Sequence, residues 1–132
     1  MTSVLVVDPD QERRLRMEKE LQDSNQFGRV YSCEDLLRAD ALAADEDIKV
    51  LLIDRAVAEN APHRQRFKTE HPGMGFVLVA DSNQALETQL LNQLGVHALT
   101  SSSASPMEHI TSIAKALVNR LKPQVIKRWL KD

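Results

Sequence analysis

The chain has 132 residues, 42% of them hydrophobic and 27% charged, with a formal net charge of −2. That length fits one domain with a sizeable core, and the composition is that of a globular chain, not a disordered one. The near-neutral charge gives no electrostatic case for nucleic acid or a membrane surface as a bulk partner.

Met1-Thr2-Ser3 runs straight into a strand-like segment, with no basic n-region, apolar h-region or cleavage site. No apolar stretch is long enough to span a bilayer. The single cysteine, Cys33, rules out an internal disulfide and fits a reducing compartment, so a cytoplasmic location is expected.

Val4-Leu5-Val6-Val7 is a β-branched and aliphatic run that ends in Asp8. Pro9 follows at a suitable first helical position, and Asp10 and Glu12 place negative charge in the first turn. The helix is predicted to run to about Ser24, with a thin apolar face of Leu15, Met17 and Leu21, and to be closed by Phe27 and Gly28. Val30-Tyr31 reads as a short second strand. Ser32 with Asp35 resembles a capping box for a helix carrying Leu36, Leu37 and Leu42. Lys49-Val50-Leu51-Leu52-Ile53-Asp54 is the central run. Its unbroken aliphatic stretch predicts a strand buried on both faces, with Asp54 at its C-terminal end. Positions 55 to 61 read as loop, and a short helix is predicted from Pro62 to just before Pro72-Gly73.

Phe76 to Val79 forms the next buried strand. Asp81-Ser82-Asn83 starts a helix with the stripe Leu86, Leu90, Leu91 and Leu94 before Gly95. Ala98-Leu99-Thr100 is a fifth strand. Ser105-Pro106-Met107-Glu108 supplies a capping box for a last helix with Ile110, Ile113, Ala114, Leu117 and Leu121 at helical spacing. Strands alternating with helices predict an α/β fold, a doubly wound five-stranded parallel sheet of flavodoxin-like order 2-1-3-4-5 with helices on both faces. Residues 1–122 form the domain. Residues 123–132, with Trp129, are a tail that packs back or leads to an output domain.

These segments resemble the receiver domain of two-component response regulators, the CheY-like family. VLVVDPDQERRLRMEKEL is similar to its first strand and helix, KVLLID to the strand that ends in the phosphoacceptor, GFVLVAD to the fourth strand and LNQLGVHAL to the lead into the fifth. The resemblance covers about residues 3–121 and implies that Asp54 is the phosphoacceptor-equivalent and Asp8 an acidic Mg²⁺ position. It also implies departures. Pro9 stands where the family has a second acidic ligand, with Asp10 as its only nearby substitute. Ala80 replaces the switch hydroxyl, Leu99 the aromatic switch residue, and Ser102 the phosphate-binding lysine. Mg²⁺ demands hard oxygen ligands in near-octahedral geometry. Phosphoryl transfer rests on positioning and electrostatic stabilisation. Mg²⁺ binding is therefore expected to be weak or absent, with no other cofactor.

A degenerate receiver is expected, not an enzyme. It would act through a protein partner (a kinase, an output domain or a second copy) on a face that includes Leu91 and Leu99. A working receiver phosphorylated on Asp54 with Mg²⁺ is the alternative. A flavodoxin-type small-molecule binder ranks lower, because the DPDQE segment is acidic where a flavin phosphate would want a loop rich in Gly, Ser or Thr. On the bland reading Asp8 and Asp54 only cap the segments that follow them. His63, His71, His97 and His109 show no metal-ligand spacing and are expected at the surface. Cys33, expected at the start of the second helix, would have a lowered thiol pKa only in a suitable setting.

Overall fold

The computed structural model describes residues 2–45, 47–80 and 92–120. In chain order the elements are β1 (Ser3–Val7), α1 (Gln11–Asp23), β2 (Val30–Cys33), α2 (Leu36–Asp45), β3 (Ile48–Asp54), α3 (Arg55–Ala58), α4 (Ala61–Glu70), β4 (Gly75–Ala80), β5 (Ala98–Ser101) and α5 (Pro106–Asn119). The strands form one parallel sheet of order β2-β1-β3-β4-β5. This is the order that the alternating pattern predicts. Leu86, Leu90 and Leu91, the boundary near 122 and the tail at 123–132 lie outside the described residues.

Strand side chains alternate between two buried layers. Leu5, Val7, Leu51, Ile53, Phe76 and Leu78 pack with Leu36, Ala39 and Phe67 of α2 and α4. Val4, Val6, Val50, Leu52, Val77 and Val79 pack with Met17, Leu21, Ile113 and Ala116 of α1 and α5. Helices cover both faces of the sheet, so its strands are continuous apolar runs. Burying each large aliphatic side chain contributes about 1.5–3 kcal/mol. The register pairs Val7 with Ile53, which sets the next residues, Asp8 and Asp54, side by side at the C-terminal edge.

Several local expectations are corrected by the structure. Pro9 is not in α1. Asp10 is the N-cap, and its carboxylate accepts from the Arg13 N–H at 3.0 Å. The end of α1 does agree with the expectation: it stops at Asp23 with Ser24 as its C-cap, followed by Asn25 in the left-handed region at φ 58°. The segment expected as loop at 55–61 contains α3, nucleated by Asp54, whose carboxylate accepts from the Ala56 N–H at 3.1 Å. Ser32 belongs to β2 and donates to Glu18 at 2.8 Å, so the carboxylate accepting at the start of α2 is that of Asp35, from the Arg38 N–H at 2.9 Å. Leu37 and Leu15 are exposed. In α5 the expected Ile113 is buried and Ile110 and Leu117 pack against the core, but Ala114 is exposed, His109, Ser112 and Ala116 share the buried face, and Leu121 lies outside the described residues. Cys33 ends β2 instead of starting α2 and is buried, which pushes its thiol up to about 11 rather than lowering it.

The histidines are not a surface set. His109 is buried, with Nδ1 2.7 Å from the Thr100 hydroxyl. Its Nε2 has no hydrogen-bond partner among the described residues and lies 4.0 Å from Glu20. His97 accepts from the Phe76 N–H through Nδ1 at 3.0 Å. Burial, the largest cause for both, lowers their pKa below the ordinary 6.5. The folded chain thus binds fewer protons than the unfolded one between those lowered values and 6.5. Stability is fully present above about pH 6.5 and is lost as pH falls below it. Urea midpoints are expected to drop between pH 7.5 and 5.5, and His109→Gln should flatten that slope. Equal slopes in both chains would remove His109 from the account.

Candidate functional site

Asp8 sits just past β1 and is almost fully buried, at 4% exposure. A buried carboxylate needs partners, and Asp8 has three donors. The Asp10 N–H donates at 2.9 Å, Arg13 Nη2 at 2.8 Å to Oδ1, and Arg13 Nε at 2.5 Å to Oδ2. The last two form a bidentate fork, the strongest geometry available to a carboxylate and a guanidinium. The same Nη2 reaches Oδ1 of Asp54 at 3.2 Å. One guanidinium therefore bridges the two carboxylates. It arrives there because the Asp10 cap starts α1 so that its first turn swings back over the strand end. The neighbouring Arg14 donates to the Asp8 carbonyl at 2.8 Å, and Arg16 reaches the Ser102 carbonyl at 3.4 Å.

The electrostatics follow from this arrangement. Burial, and next the Asp8 charge, raise the pKa of Asp54, while Arg13 and the Ala56 N–H oppose them. The Arg13 pKa is raised further by its hydrogen bond to Asp8. Asp54 faces a cleft of about 510 Å³ lined by Arg13, Arg55, Ala56, Glu59, Val79, Ala80 and Ser102.

The sheet brings Asp8, Asp54, Ala80 and Ser102 to one edge, and Ser102 N–H donates to the Ala80 carbonyl at 3.1 Å. Pro9 is exposed and offers no side-chain oxygen. Asp10 is exposed, and its carboxylate accepts the Arg13 N–H at the helix cap. Leu99 is 40% exposed on β5, and Leu91 lies outside the described residues. For Mg²⁺ the donor set fits poorly. The resemblance places the ion between Asp8 and Asp54, where a guanidinium already holds both carboxylates.

Sequence reasoning missed Arg13. The available signal was its place five residues after Asp8 in a helix capped by Asp10, which directs a long cationic side chain back to the strand end.

The sheet order and the acidic strand ends define a CheY-like flavodoxin fold, the fold of response-regulator receiver domains. No protein-family model and no curated protein matches the chain in sequence. Solved structures do match in fold. The chemotaxis response regulator CheY4 of Vibrio cholerae aligns at TM-score 0.71 and 17% identity over 89% of this chain and 99% of that one. A LuxR family DNA-binding response regulator from Silicibacter pomeroyi aligns at 0.68 and 24% over 89% and 92%. The signal receiver domain of an HD domain-containing protein from Pseudomonas fluorescens aligns at 0.71 and 14% over 90% and 96%. At these identities the likeness is one of fold.

Proposed function

We propose that this chain is a receiver-like signalling domain that regulates a protein partner without using phosphorylation as its switch. The observation that carries the reading is the Arg13 bridge. A guanidinium bound by a bidentate fork to Asp8 and by a single contact to Asp54 supplies, from within the chain, the positive charge that a receiver takes from Mg²⁺. Ala80 and Ser102 line the cleft without a hydroxyl or an ammonium where the family uses them, which weakens the hold on phosphoryl oxygens. The domain has no catalytic activity or cofactor of its own in this reading and works in the cytoplasm. No helix among the described residues is long and apolar enough to cross a membrane. Its partner is a kinase, an output domain or a second copy, met on the face that includes Leu99 and, by the resemblance, Leu91.

Incubation with acetyl phosphate is the test, with and without Mg²⁺, read by intact mass. Little or no phosphoprotein is expected in either condition. A phosphoryl adduct that Asp54→Asn abolishes would establish a working receiver instead. If that adduct forms without Mg²⁺, Arg13 serves as its substitute cation.

A further inference from the structure

We propose that Asp40, Glu70 and His71 form a binding site for a transition-metal dication, zinc by donor type, clamped between α2 and α4. One ligand atom from each of the three side chains lies within 4.8 Å of the others. His71 Nε2 and Asp40 Oδ1 are 2.6 Å apart. Asp40 comes from the middle of α2, whereas Glu70 ends α4 and His71 is its C-cap. The two halves of the site thus come from separate elements that the fold packs together. None of the three residues lines the Asp54 cleft, so this inference is independent of the proposed function.

The set is a mixed nitrogen and carboxylate one. An imidazole with two carboxylates suits zinc and its neighbours, whereas Mg²⁺ prefers oxygen alone. Three protein ligands leave a coordination position for water, and the partial exposure of Asp40 and His71 gives it access. The imidazole is held from the core side, because the Phe67 ring lies 4.5 Å from it between centroids. A held ring is a preorganised ligand.

Charge favours a cation here. Asp40 brings one carboxylate, 2.6 Å from His71 Nε2. Glu70 is a second carboxylate at the same point, and Arg66 pairs with it at 3.2 Å on the exposed side. The carbonyl end of α4 adds partial negative charge at Glu70 and His71. On binding, the His71–Asp40 contact must open to about 3.3 Å, the edge of a tetrahedron with bonds of about 2.0 Å. His71 then coordinates through Nε2 and carries its proton on Nδ1, and any proton shared with Asp40 leaves to solvent.

The test is isothermal titration of the full chain with Zn²⁺, with Co²⁺ visible absorption as a second readout of the ligand set. One saturable site is expected, and it should bind Zn²⁺ far better than Mg²⁺. His71→Ala and Asp40→Asn should each weaken it by at least about tenfold, with the fold confirmed by circular dichroism. His63→Ala and Cys33→Ser should leave it unchanged. An absence of saturable zinc binding overturns the site. So does binding that survives His71→Ala, or binding that is lost in Cys33→Ser or His63→Ala. None of these outcomes bears on the Arg13 bridge.

Discussion

Replacing Arg13 with methionine is expected to lower the unfolding free energy by about 2 kcal/mol, roughly 6 °C in Tm for a domain of this size. The substitution keeps most of the aliphatic stem and removes only the charge and its fork. What remains is Asp8, 4% exposed, with an uncompensated carboxylate beside a second one. Breaking a fully buried pair costs about 3–5 kcal/mol. The Arg13 side chain is 32% exposed, so solvent screens part of that loss and the lower figure applies.

The diagnostic part of the result is the response to Mg²⁺. In the parent chain, the ion must displace a bidentate guanidinium before it can see either carboxylate. In Arg13→Met the two carboxylates face each other without a cation. Free Mg²⁺ at about ten times its dissociation constant would then return about 1.4 kcal/mol. Thermal melts with and without Mg²⁺ should show a rise in the variant and none in the parent. If both chains respond alike, or if Arg13→Met is as stable as the parent, Arg13 does not stand in for the ion.

Why Arg13 escaped the sequence is a matter of angle. Pro9 is a good first helical residue, and a helix begun there turns residue 13 away from the strand end. The Asp10 cap moves the start to Gln11, and Arg13 then points back at Asp8. The strands were far more legible. VLVV, VLLI and FVLV are buried on both faces, so hydrophobicity alone marks them, and the two terminal carboxylates fall where the register needs them. At four residues, α3 is too short to show a period, and its start depends on a cap by Asp54 that doubles as the candidate site residue. His109 defeated the polar-means-exposed rule because it shares a helical face with Ile113 and Ala116, at i+4 and i+7, while Thr100 meets its ring nitrogen. Spacing pointed to that face, and residue type pointed away from it.

The largest loss of stability is expected from Phe67→Ala, about 3–4 kcal/mol or roughly 10 °C in Tm. Phe67 is the one buried residue of α4, a helix otherwise composed of small and polar side chains. Its ring meets Phe76 of β4 edge-on at 5.8 Å and the His71 ring at 4.5 Å. The remaining ties of α4 to its surroundings are polar, with Lys68 donating to the Gly95 carbonyl at 2.6 Å and Arg64 to the Ala58 carbonyl at 2.5 Å. A helix of ten residues is too short to persist in water on its own, so its order depends on that aromatic anchor. The damage should therefore be local first. Hydrogen exchange at α4 amides should quicken well before that of β3 and β4, whose layers keep their own contacts. Phe67→Leu, which keeps an apolar plug of smaller volume, should cost about 1–1.5 kcal/mol and retain the α4 protection. A loss below about 1 kcal/mol in Phe67→Ala, or exchange that rises equally across the sheet, would mean that α4 is held by its polar ties and not by the ring.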